Sequence, residues 1–219
     1  PFVLTPFIHL GDGGSSVARR YVSMPHQIEL LRGADAILAM TEHEAEFVSS
    51  MGVAAERIHV VGAGVSPERV TGGDATRFRT RHNIHGLLVG SIGTLASEKG
   101  THDLVRAIQQ LRRLGNEVEL VLAGAALSQF ERWYTGLEAP DRSGIHLLGV
   151  IGDEEKRDLL AAIDIFALPS RTESFGIVYL EAWANRKPVI AAEVGAVPEL
   201  VRDGQNGLLV PFGNPGAIA

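Results

Sequence analysis

The chain has 219 residues, a formal net charge of −6, 45% hydrophobic residues and no cysteine. That apolar content supports a true core in one large or two small domains, and the acidic balance without a basic block argues against general nucleic-acid binding. Without cysteine there is no disulfide frame and no Cys-ligated metal, and no apolar run approaches the roughly 20 residues of a membrane span.

The chain opens with Pro1-Phe2-Val3-Leu4, without Met, no signal peptide is visible, and it reads as a fragment or a processed chain. Residues 1–10 are apolar and punctuated by proline, and predict a strand ending at His9. A Gly/Ser loop spans 11–16, and 17–32 has a helical pattern interrupted at Pro25. Residues 34–40 read as a strand. Thr41 with Glu44 three residues later forms a capping box for a helix ending near Met51-Gly52. Another strand covers 57–61, and this alternation predicts a parallel sheet. Gly62-Ala63-Gly64 suggests a dinucleotide fingerprint, but Pro67 stands where the third glycine belongs and no apolar helix follows, so that reading is rejected. The polar stretch 65–76 reads as an interdomain linker.

A second alternation begins at the strand 87–92. Its loop, 93–100, carries Lys99, and an amphipathic helix follows over 101–114 with Leu104, Ile108 and Leu111 on one face. A strand at 118–123, a helix at 130–137 and a strand at 145–148 come next, the last followed by the loop Gly149-Val150-Ile151-Gly152. Asp153 is the expected cap of a helix running to Ala162. Then comes a complete crossover unit: a buried strand 164–168 closed by Pro169, a polar loop 170–174, an apolar-rich helix 177–185 and a strand 189–192. A short helix at 198–202 and a strand at 207–210 complete the pattern.

Ligands of parallel sheets bind at the carboxyl ends of the strands, where the 170–174 loop lies. Glu173 sits in that loop. Glu181, eight positions on, has two apolar or aromatic neighbours on each side, so its carboxylate needs a partner, and a ligand diol offers two donors. Gly176 at the helix start lets a ligand approach free backbone N–H groups, which favour anions. Lys99, between a strand and a helix, suits a phosphate as a point charge. Together these groups suit a sugar joined to a phosphate. By spacing alone, the two acids are equally compatible with an ordinary crossover bearing one surface acid and one helix acid. His82 and His85 share a spacing of three without an acid or thiol to complete a metal site, and no Asp-x-Asp pair occurs.

Glu173, Ser174-Phe175-Gly176 and Glu181 resemble the acid motif of the retaining family 4, or group 1, glycosyltransferases. Lys187-Pro188-Val189-Ile190, Gly195 to Glu199 and Asp203 to Val210 match the same family in order. The resemblance implies an α/β chain of the GT-B type: two Rossmann-like parallel-sheet lobes facing a cleft, with the amino-terminal lobe truncated. It divides the chain into residues 1–70, the carboxyl-side part of the amino-terminal acceptor lobe; 71–86, a linker and lead-in; and 87–219, the donor-binding lobe. It implies that Lys99 holds the donor diphosphate beside Gly93 and Thr94, the latter where the family commonly has Arg. It implies that Glu173 meets the hydroxyls of the transferred sugar and that Ser174, Phe175 and Gly176 surround that sugar or its phosphate. Glu181 resembles the acid that binds the ribose, Val150-Ile151 the place where the base packs, His9 the amino-terminal-lobe histidine near the reacting sugar, and Glu199 a support of its own loop.

The implied activity is retaining, metal-independent transfer from a nucleotide-diphosphate sugar of UDP or GDP type, with no further cofactor and no protein nucleophile. The acceptor is a sugar, a lipid-linked compound or a small molecule. The implied location is the cytoplasm, compatible with peripheral contact at the inner face of the membrane. Two other classes fit the residues: a non-catalytic nucleotide-binding module, and a retaining glycosidase using Glu173 and Glu181 as its acid pair.

Overall fold

The computed structural model describes residues 1–10 and 23–219. The expected 11–16 loop and the first part of the 17–32 helix lie outside the described residues. Two parallel sheets are present. The first is built from β1 (Val3–Leu4), β2 (Ala36–Ala39) and β3 (Ile58–Val60), in that spatial order, with α1 (Pro25–Gly33) and α2 (Glu42–Ser50) between the strands. Its core gathers Ile8, Leu31, Ile37, Phe47 and Val48.

The predicted opening strand is much shorter than 1–10. Only Val3 and Leu4 pair, with Ala36 and Ile37. Pro6 has no N–H to give a ladder, and Phe7 has a left-handed backbone (φ 50°), so the chain turns before Ile8 and Leu10 return to the core. The capping box is half realised. The Thr41 hydroxyl accepts from Glu44 N at 3.1 Å, but the Glu44 side chain accepts from Ile8 N and Met40 N, each at 2.6 Å. Glu44 is thus a buried clamp joining the opening turn to the end of β2.

The predicted linker is folded. It contains α3 (Pro67–Val70) and the start of α4 (Ala75–His82), capped by the Asp74 carboxylate, which accepts from Arg77 N at 2.9 Å. Its polarity serves packing: Arg77 pairs with the buried Asp158 at 2.6 Å, and Asp74 N donates to the same carboxylate at 2.7 Å.

The second sheet comprises β4 (Leu87–Ile92), β5 (Val118–Ala123), β6 (Ile145–Gly149), β7 (Ile165–Leu168), β8 (Val189–Ala192) and β9 (Leu208–Val210). Its spatial order is β6-β5-β4-β7-β8-β9, and every pairing is parallel. The connections hold α5 (Thr101–Arg113), α6 (Ser128–Thr135), α7 (Ala139–Arg142), α8 (Asp153–Ala162), α9 (Ile177–Ala184) and α10 (Val197–Leu200), and α11 (Pro215–Ile218) follows β9. Asp153, expected as a cap, is instead the first residue of α8, with Gly152 at the cap position; three acids in that first turn complement the helix dipole.

Apolar layers cover both faces of this sheet. Phe78, Leu159, Leu160 and Tyr179 pack on one side, and Leu104, Ile108 and Phe130 on the other. This explains why its strands read as nearly continuous apolar runs rather than alternating ones. The strand order reverses between β4 and β7, and the crevice at their carboxyl ends is where a doubly wound sheet offers its ligand site.

The two sheets are tied across the chain. The Glu199 carboxylate, expected to support its own loop, reaches the start of α2 and accepts from Glu42 N at 2.8 Å and His43 N at 2.7 Å. It thereby satisfies two N–H groups that lack partners within the helix. Asn185 Nδ2 adds a bond to Val70 O at 3.0 Å.

Candidate functional site

Lys99 and Glu173 come from the two loops at the strand reversal. Lys99 closes a single 3-10 turn after β4, and Gly100 follows with φ 68°. A Cβ at Gly100 would lie 2.1 Å from the Pro169 carbonyl oxygen, so only glycine lets the Lys99 loop pack against the end of β7. Arg171 N donates to Glu98 O at 2.7 Å, and the Ser170 hydroxyl reaches Glu98 O at 3.3 Å, fastening the loops together. As a result Lys99 Nζ lies 2.6 Å from Glu173 Oε1 and donates to Thr172 O at 3.0 Å.

The start of α9 borders this pair. Gly176 is its cap residue at φ 90°, and a Cβ there would lie 2.4 Å from the Tyr179 ring. Tyr179 is fully buried, and its hydroxyl donates to Leu168 O at 2.8 Å, fixing the turn onto β7. Burial raises its phenol pKa well above the usual tyrosine range, and the nearby Glu173 carboxylate adds to the rise, so it remains a neutral donor.

A cavity of about 330 Å³ joins Gly93, Thr94, Lys99, Glu173 and the 174–178 turn. Phe7, from the first sheet's opening turn, lines it too. His9 lies two residues further on, is exposed, and is not among the lining residues. Val150 and Ile151 lie past the end of β6, outside this cavity, with Val150 79% exposed.

Glu181 is also outside that cavity. It is 7% exposed, and Lys156 Nζ on α8 lies 2.6 Å from its Oε1. Its Oε2 is buried with no hydrogen-bond partner among the described residues. A buried orphan acceptor is costly, and a donor brought by a ligand would remove the cost.

Both motif acids are therefore held by a lysine at the same short distance. Lys99 was legible in the sequence. Lys156 was not, because it lies in the uniformly polar first turns of α8 and reads as solvated. Phe7 was also missed, since nothing in an apolar opening segment marks one residue as turned away from the core.

A larger cavity, about 780 Å³, opens at the opposite, amino-terminal end of the strands. Several of its charged groups are already paired: Arg113 with Asp141 at 2.6 Å, His146 with Glu119 at 2.7 Å, and Arg112 with Val118 O at 2.8 Å. It lies away from the strand reversal and from both motif acids. Among the described residues, no group of three or more His, Asp or Glu is placed to hold a metal ion, and no helix is long and apolar enough to cross a membrane.

A sequence model of the family described as "Glycosyl transferases group 1" matches residues 86–219. The chain belongs to this family. Relatives of this group 1 glycosyltransferase include a D-inositol 3-phosphate glycosyltransferase of Mycolicibacterium gilvum, 36% identical over 201 residues, which cover 85% of this chain and 43% of the relative. Another is the lipopolysaccharide core biosynthesis glycosyltransferase LpsE of Rhizobium meliloti, 29% identical, with 94% of this chain and 58% of the relative covered. Among solved structures, Anabaena HepE in complex with UDP and glucose superposes with a TM-score of 0.83 at 26% identity, over 100% of this chain and 60% of that one. The two parallel sheets are thus those of a GT-B glycosyltransferase. The chain spans about half the length of the curated relatives it matches.

Proposed function

We propose that this glycosyltransferase chain carries the donor site for retaining, metal-independent transfer of a sugar from a nucleotide-diphosphate sugar to a sugar, lipid-linked or small-molecule acceptor in the cytoplasm. The observation that carries the reading is the Lys99–Glu173 pair at the strand reversal, beside the start of α9, with the unpartnered Glu181 Oε2 on the same helix. Lys99, Gly93 and Thr94 take the diphosphate. The N–H groups around Phe175 and Gly176 add a fixed positive potential to the same charge. Glu173 accepts the hydroxyls of the transferred sugar, Glu181 the ribose diol, and the Val150-Ile151 loop the base. His9 approaches the reacting sugar from the first lobe. UDP is the favoured diphosphate, since HepE was solved with UDP and with UDP-glucose; GDP is the next choice.

In the transfer, the bond from the anomeric carbon to the diphosphate oxygen breaks, and its electron pair leaves with the diphosphate. The acceptor hydroxyl oxygen bonds to the same face of that carbon, and its proton passes to the departing diphosphate. Negative charge grows beside Lys99 and the α9 amides, and preorganised donors of that kind lower such barriers most. Glu173 then has no nucleophilic step to perform.

Calorimetric titration with UDP, GDP, ADP and their sugar conjugates, with and without a chelator, tests the reading. Selective, chelator-insensitive binding of one diphosphate is expected. A folded chain that binds none of them refutes the donor site, and binding abolished by the chelator refutes metal independence.

A further inference from the structure

Phe7 combines three properties rarely found together. Its backbone is left-handed (φ 50°), a region that favours glycine and penalises a bulky side chain. The residue is 47% exposed, so core packing does not explain the conformation. It is also a lining residue, supplied by the first lobe, of a cavity otherwise built by the donor lobe.

The surroundings hold this turn firmly. Pro6 fixes the preceding φ, and Ile8 is buried immediately after it. Ile8 N donates to the buried Glu44 carboxylate at 2.6 Å, and the other oxygen of that carboxylate is tied to Met40 N at 2.6 Å. A disfavoured residue persists only where its neighbours over-determine it, and such residues concentrate at ligand sites.

The cavity has two kinds of lining. Lys99 and Glu173 bring charge, while Phe7, Ile92, Ile177 and Val178 bring apolar surface. A pyranose ring has the matching character, with hydroxyls at its edge and C–H groups on its face. Resting on the donor-site reading above, we infer that Phe7 is the first lobe's wall of the sugar subsite and that it selects the transferred sugar by packing its ring against the sugar's apolar face. The sugar is then read by hydrogen bonds from one lobe and by shape from the other.

The test compares Phe7→Gly, Phe7→Asn and Phe7→Tyr with the parent chain. Glycine and asparagine accept the left-handed backbone and remove the ring; tyrosine keeps the ring. Affinities for UDP and UDP-glucose, and for GDP and GDP-mannose, are measured by calorimetry alongside thermal unfolding. Removing the ring should weaken the sugar conjugate by about threefold to tenfold, the range of an aromatic contact, and leave the bare diphosphate within about twofold. Phe7→Tyr should retain the preference. Phe7→Gly and Phe7→Asn should unfold no earlier than the parent, because the backbone strain is gone. Equal weakening of diphosphate and conjugate, or no change in either, overturns the role of Phe7 alone. If the parent chain binds neither, the donor-site reading fails and takes this inference with it.

Discussion

Replacing Lys156 by Met tests the least visible part of the site. The substitution keeps the length and apolar stem of the side chain and deletes its charge. Glu181, 7% exposed, would then keep one oxygen without a partner and lose the partner of the other. At 2.6 Å, the gross attraction is about 6 kcal/mol at an effective dielectric constant near 20. Most of that is offset by desolvation and by ordering of the lysine, whose side chain is 28% exposed, so a net loss of about 2–3 kcal/mol is expected. In a chain of this size, that corresponds to a fall in Tm of about 4–12 °C. Thermal unfolding of the parent, Lys156→Met, Glu181→Gln and the double variant reads the pair directly. The double variant should lose less than the sum of the singles, with a coupling of about 1 kcal/mol or more. A Tm for Lys156→Met within a degree of the parent, together with additive singles, would refute the claim that Lys156 holds Glu181. In the same series, Glu181→Gln should weaken diphosphate binding, and unchanged affinity would sink the ribose role.

Lys99→Ala should reduce affinity for the nucleoside diphosphate by about tenfold or more, while Lys99→Arg retains part of it; the assay is the same titration, and unchanged binding by the alanine variant would remove Lys99 from the diphosphate site. Gly100→Ala should lower Tm and diphosphate affinity together, because its Cβ meets the Pro169 carbonyl at 2.1 Å and its φ of 68° disfavours any side chain. A variant as stable and as tight as the parent contradicts that packing. His102, beside Phe130 and Trp133, has its pKa lowered first by burial and then by Arg106. It is therefore neutral in the folded state when the unfolded state binds a proton. Its contribution is complete above the unfolded pKa of about 6.5 and is lost as pH falls below that value. Urea unfolding from pH 5 to 8 should show this slope, and His102→Phe should flatten it.

The second sheet was legible because its strands are buried on both faces, so each appears as an apolar run bounded by glycine or proline. The acids Glu173 and Glu181 stood out for the same reason, as charges beside such runs. What stayed hidden depends on contacts distant in sequence. Residues 65–76 read as a linker because no local pattern shows that the Asp74 N–H is held by Asp158, 84 positions away. Glu44 reads as a capping-box partner, yet its carboxylate bonds a backbone 36 residues away. Lys156 is 25 residues from Glu181, and no local pattern links them. Phe7 is apolar in an apolar stretch, and only its backbone angle sets it apart. Periodicity reports burial, but it does not report which distant group satisfies a buried charge.

The lysine that holds Glu173 also shapes what the crevice accepts. A simple anion such as inorganic phosphate that draws Lys99 away from Glu173 would leave a 10%-exposed carboxylate stripped of its cation. A ligand that brings hydroxyl groups together with its phosphate replaces both partners in one event and strands neither. On the donor-site reading, the paired ground state would work as a coincidence requirement, favouring a molecule that presents both chemistries at the right separation over a small anion.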